Sequence, residues 1–103
     1  MREEKKKYLN SYLLQQAKIS RLEEMCLTQP ERKKDLDKKI AECKNLRIEI
    51  EEKIKAVDDN ILSELLFQKY IFGKTLEETS HIINYSKRHT ERMHIIALEK
   101  FEI

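Results

Sequence analysis

Residues 73–101 read GKTLEETSHIINYSKRHTERMHIIALEKF, and this stretch decides how the chain folds. It opens on Gly73, the only glycine of the chain. An apolar helical run precedes it: Ile61, Leu62, Leu65, Leu66, Tyr70 and Ile71. Glycine after such a run takes positive φ without steric penalty and ends the helix. Thr75 lies three residues before Glu78, the spacing of a capping box. The threonine oxygen accepts a free backbone N–H and the glutamate reaches back to the cap. A short helix is therefore expected over about 76–83. Leu76, Thr79, Ile82 and Ile83 share its inner face, and small Ser80 lets a second helix approach closely.

Asn84 follows, and asparagine tolerates the left-handed backbone that a sharp turn between helices needs. Tyr85 is expected to plug this turn into the core. Ser86 is a good N-cap for a longer second helix. Thr90, Met93, Ala97, Leu98 and Phe101 form the inward stripe of that helix. Lys87, Arg88, His89, Glu91 and Arg92 crowd its other side near the start. The layout is that of a helix-turn-helix, whose second helix presents its N-terminal residues to base edges in the major groove. Arginine and lysine suit guanine edges and phosphates, and glutamate can accept from cytosine. Exposed charges alone are commonly just the solvated face of an amphipathic helix. Their conjunction with two caps, the Asn84 turn and Ser80 points to double-stranded DNA. Lys74 and Thr75, at the start of the first helix, complete the candidate DNA-binding set.

The motif resembles region 4 of sigma-70-type factors. The words that carry the resemblance are Thr-Leu-Glu-Glu at 75–78, Asn-Tyr-Ser at 84–86 and Arg-Met-His-Ile-Ile-Ala-Leu-Glu-Lys-Phe at 92–101. More narrowly, the chain looks like the small sigma-region-4-like regulators of phages and prophages (the RinA/ArpU type). The resemblance covers roughly residues 58–103. It implies a helical N-terminal segment, transcription activation with RNA polymerase, and contacts to bases and phosphates from Lys87, Arg88, His89, Glu91 and Arg92. Ser80 stands where the family has Ala, Asn84 where Gly is common, and Thr90 where Val or Ile enters the core. The first two keep size or backbone tolerance. Thr90 brings a hydroxyl that must be satisfied.

With 103 residues, the chain is one small domain, or a small domain with an extension. Charged residues make up 39% and aromatics 7%, with one Gly and one Pro, a composition of helices with little room for sheet or long loops. The fold expected is all-α, with a helical hairpin or coiled coil over 1–57 and the helix-turn-helix domain over 58–103. No apolar run nears the roughly 18–20 residues that span a bilayer, and the charged start lacks an apolar signal region. A cytoplasmic protein is expected. Cys26 and Cys43 form no Cys-x-x-Cys and do not group with histidines as zinc ligands do, so they read as reduced thiols.

Residues 2–27 read as a helix with Tyr8, Leu9, Tyr12, Leu13, Ile19, Leu22 and Cys26 on one broad face. Thr28 and Glu31 have capping-box spacing around Pro30 in the first turn of a second helix. In that helix Leu36, Ile40, Cys43, Ile50, Ile54, Val57 and Ile61 alternate four and three apart, with Arg47 at one seam position. The second helix either ends near Asp58-Asp59-Asn60 or runs on into the next. Two such helices close as a hairpin, which is also expected to pair two chains as a homodimer.

Charge divides unevenly. Residues 1–57 carry 15 Lys/Arg against 11 Asp/Glu, while residues 58–103 carry 6 against 8. Phosphate neutralisation supplies most non-specific DNA affinity. The C-terminal half alone should therefore bind weakly, and needs a dimer, the basic N-terminal half or RNA polymerase. Two other functions fit the pattern. One is a coiled-coil module that docks on polymerase or another partner without binding DNA itself. The other is a small phage packaging subunit, disfavoured because the DNA-binding part there comes first. Nothing suggests an enzyme: the sequence has no glycine-rich phosphate loop, no metal or cofactor constellation, and no Ser or Cys recognisably paired with His.

Overall fold

The computed structural model describes residues 2–103. It is all-α, without strands among the described residues: α1 (Arg2–Thr28), α2 (Lys33–Lys55), α3 (Asn60–Leu66), α4 (Leu76–Ile83) and α5 (Lys87–Lys100). A 3-10 turn at Pro30–Arg32 joins α1 to α2, and a π-helical turn at Phe67–Ile71 prolongs α3. The antiparallel pair α1 and α2 makes a long hairpin, which stretches the molecule to 52 × 24 × 21 Å.

Two apolar clusters hold the chain. The larger lies at the base of the hairpin. It joins Leu9 and Tyr12 of α1 and Ile50 and Ile54 of α2 to Leu65, Tyr70, Met93, Leu98 and Phe101. One core is thus shared by the hairpin and the helices that follow. The smaller cluster, Ile19, Leu22, Leu36, Ile40 and Cys43, lies toward the tip, where α1 and α2 pack only on each other. Every apolar seam residue expected from Leu36 to Val57 is buried. Arg47 is half-buried, its guanidinium 5.9 Å from the centre of the Tyr12 ring. The long aliphatic stem lets a charged residue sit at the seam while its head stacks on an aromatic face.

Several details differ from the sequence reading. Thr28 is the last residue of α1 and donates its hydroxyl to the carbonyls of Glu24 and Met25, so it caps nothing. The chain reverses instead through the 3-10 turn, with Arg32 N–H donating to the Gln29 carbonyl at 3.0 Å. Pro30 does stand at the start of that turn. Leu13 is exposed and Gln15 buried, because α1 turns a different edge to the core once it passes the base cluster. Of the two courses left open for the second helix, the break near Asp58-Asp59-Asn60 is the one taken. The helix stops at Lys55, and the Asp59 carboxylate accepts the N–H groups of Ile61 and Leu62 at 2.9 and 3.0 Å. This N-cap starts α3 in a new direction, which takes Ile61 off the seam and leaves it 41% exposed.

Gly73 has φ +71°, as its position after α3 and the π turn requires. A Cβ there would meet Leu13 only at an ordinary 3.5 Å, so space is not the constraint. Gly73→Ala is expected to lower stability by about 1–2 kcal/mol from left-handed strain alone. Chemical denaturation measures this, and an unchanged midpoint would mean the turn relaxes freely.

Candidate nucleic-acid interface

The helix-turn-helix is built by three local devices. At the start of α4, the Thr75 hydroxyl accepts the Glu78 N–H at 3.0 Å and the Glu78 carboxylate accepts the Thr75 N–H at 2.9 Å. These hydrogen bonds hold the Glu78 carboxyl below the usual carboxylate range. At the end of α4, Asn84 takes φ 63°, ψ 45°, the left-handed conformation expected of it. At the start of α5, Ser86 accepts the His89 N–H at 3.1 Å.

Between α4 and α5 the contact is small and polar-edged. Thr79, Ser80 and Thr90 are buried. Each satisfies its hydroxyl within its own helix: Thr79 on the Thr75 carbonyl, Ser80 on Glu77 and Thr90 on Ser86. The extra hydroxyl of Thr90 is therefore paired one turn back. Leu76 and Ile83 are half-buried. Ile82 is 50% exposed, because an eight-residue helix can turn only one narrow edge to α5. Tyr85 does not plug the core. It is 39% exposed and packs against the His89 ring, centroids 5.1 Å apart. The left-handed Asn84 directs the chain outward, and a neighbouring ring one turn into α5 is the nearest apolar cover.

α5 is seated from three sides. Thr90, Met93, Ala97, Leu98 and Phe101 are buried as the stripe requires, and His94 joins them. The His94 Nε2 lies 2.7 Å from the Tyr70 hydroxyl of the π turn. Burial, reinforced by Lys69 and Lys6, pushes the His94 pKa down to about 4. Burial, with Glu3 adding to it, pushes Tyr70 up to about 12. The bond therefore joins two uncharged groups at neutral pH. At the far end of α5, Lys5 of α1 donates to the carbonyls of Leu98 and Glu99 at 2.8 and 3.2 Å. A cation there completes orphan carbonyls and suits the negative end of the helix. Neither partner was legible in sequence: Lys5 lies 93 residues from Leu98, and the Tyr70–His94 bond depends on a π turn without a sequence signature.

The opposite side of α5 is open. Lys87, Arg88, His89, Glu91 and Arg92 are all exposed within its first two turns. Among the described residues, the side chains of Lys87, Arg88, Glu91 and Arg92 make no ion pair or hydrogen bond. Lys74 and Thr75 are exposed at the start of α4. The face that carries Lys87, Arg88 and Arg92 changes character further along, where Ile95 and Ile96 are 40% and 43% exposed. At 14 residues α5 is about 21 Å long, and a single helix fits the roughly 12 Å width of a major groove.

No group of His, Cys, Asp and Glu able to hold a metal ion occurs among the described residues. Cys43 is buried and Cys26 half-buried, both free, with Cys26 Sγ 3.7 Å from an Asp37 oxygen. No described helix is long and apolar enough to cross a membrane. Compared with protein-family models, curated proteins and solved structures, the chain gave no significant match.

Proposed function

We propose that the protein is a DNA-binding transcription regulator that reads double-stranded DNA with the first two turns of α5. The observation that carries this reading is the unpaired Lys87, Arg88 and Arg92 on the open side of a helix whose other side is buried. Such a helix keeps its guanidinium groups free for bidentate contacts to guanine edges, which confer sequence discrimination. Glu91 lies among them as an acceptor for cytosine. In this reading the exposed Lys74, Thr75 and His89 contact the flanking phosphates, with the start of α4 crossing the backbone. Action on phage or prophage genes together with RNA polymerase rests on the resemblance of residues 75–78, 84–86 and 92–101.

Selection from a pool of random duplexes at two salt concentrations tests the reading. An enriched motif that survives moderate salt is expected. Arg88→Ala and Arg92→Ala are each expected to weaken binding to that motif by about 1–3 kcal/mol per lost base contact. Unchanged affinity in both variants would remove α5 as the reading helix.

A second reading is favoured by charge: residues 58–103 carry more acidic than basic groups. In it the module docks on RNA polymerase, with exposed Ile82, Ile95 and Ile96 as apolar contacts, and touches DNA only inside the larger complex. An unenriched pool with weak, salt-sensitive binding would favour this second function.

A further inference from the structure

The open face of α5 is not uniform along its length. Arg88, Arg92, Ile95 and Glu99 follow one another at spacings of four, three and four, so they form one row down the helix, with Ile96 beside it. All five are exposed, the two isoleucines by 40% and 43%. Neither isoleucine belongs to an apolar cluster of the fold. Helix formation does not call for them either, since a β-branched side chain is a poorer helix former than the Arg and Glu around it. The row passes from two guanidinium groups, through an apolar step, to a carboxylate.

An aliphatic side chain in the major groove discriminates between bases in one way. It neither donates nor accepts, so against guanine, adenine or cytosine it leaves base-edge donors and acceptors without a partner. The thymine C5-methyl is the one apolar group that a base pair presents in that groove. Packing it on isoleucine removes both apolar surfaces from water. Position agrees with this chemistry. Ile95 and Ile96 lie about 4.5–6 Å along the axis beyond Arg92, at ~1.5 Å per residue, which is one to two base-pair steps of about 3.4 Å. Phosphate repels the Glu99 carboxylate, so the surface able to face DNA ends at the isoleucines.

We propose that Ile95 and Ile96 determine specificity by packing on thymine C5-methyl groups, close along the groove to the guanine that Arg92 contacts. The thymine contact requires α5 to be the reading helix and so rests on that function. It makes the target a composite. Guanine is selected by charge-assisted hydrogen bonds, and thymine by an apolar contact that the arginines cannot supply.

The test presents the full chain with the random duplex pool, then remakes the enriched duplex with deoxyuridine in place of each thymine in turn. Deoxyuridine keeps the pairing edge of thymine and lacks only the methyl. The enriched motif is expected to hold a thymine near its guanine, and loss of that methyl should weaken binding roughly fourfold, the effect of one buried methylene. The ratio between the two duplexes should be the same at both salt concentrations, although each binds more weakly at the higher one. In protein carrying Ile95→Ala and Ile96→Ala the ratio should fall toward one. In protein carrying Ile95→Val and Ile96→Val, which keeps a branched apolar surface, it should persist. The parent comparison stands by itself should the alanine changes disturb the helix. No enriched motif would remove α5 as the reading helix and the thymine contact with it. An enriched motif bound equally with thymine or deoxyuridine would keep α5 as the reading helix and overturn the thymine contact, leaving the isoleucines to a protein partner. A methyl effect that survives in the alanine variant would overturn it too, since the methyl would then act through the shape of the duplex.

Discussion

Phe101→Ala is expected to destabilise the protein by about 3–5 kcal/mol. Phe101 is fully buried just beyond α5, its N–H bonded to the Ala97 carbonyl. Its ring lies 6.0 Å from that of Tyr8, across the junction between the end of α5 and the start of α1. Truncation removes a large apolar surface and leaves a cavity between two elements that cannot both collapse inward. Small domains are stable by only about 5–15 kcal/mol, so this change consumes a large share of the total. Urea unfolding followed by far-ultraviolet circular dichroism measures it. The loss is expected in one transition that includes the hairpin, because α1, α2 and α5 contribute to the same cluster. A shift below about 1 kcal/mol would contradict the core position. A hairpin signal that outlasts loss of the remaining helices would contradict the shared core.

What the sequence disclosed here was local. The capping box at Thr75 and Glu78, the left-handed Asn84 and the Ser86 cap each act within a few residues, and all three stand as the spacing requires. The inward stripe of α5 follows from helical periodicity, and its five residues are buried. Long-range pairings were not legible. The Lys5 clamp on α5 and the Tyr70–His94 bond join residues that no periodicity connects. Errors fell where tertiary direction overrides a local preference. Tyr85 turns outward with the chain, Ile82 lies beyond the narrow edge that α4 buries, and the Asp59 cap takes Ile61 off the seam. The candidate DNA-binding residues were legible only as an exposed, unpaired set, because exposure follows from the same helical period that buries the stripe behind them.

Acidification is expected to destabilise the protein through His94. The buried ring has a pKa of about 4, against about 6.5 for histidine in an unfolded chain. Below pH ~6.5 the unfolded chain takes up a proton that the folded chain refuses, so stability falls as pH drops. The contribution is fully present above that pH, is lost progressively toward pH ~4, and changes no further below it. At pH 4.5 the loss is on the order of 2–3 kcal/mol. Protonation would place a third positive charge near Lys69 and Lys6, in a site whose nearest hydrogen-bond partner is the neutral Tyr70 hydroxyl. His94→Gln separates this from carboxylate titration, since glutamine keeps a hydrogen-bonding group toward Tyr70 but cannot gain the charge. Urea midpoints at pH 7 and pH 4.5 should fall much further apart in the parent chain than in the variant, whatever the variant loses at neutral pH. Equal differences would mean that His94 opens to water before it titrates. The expected result ties acid sensitivity to α5, because the buried ring that resists protonation is the one that joins that helix to the π turn behind its open, basic face.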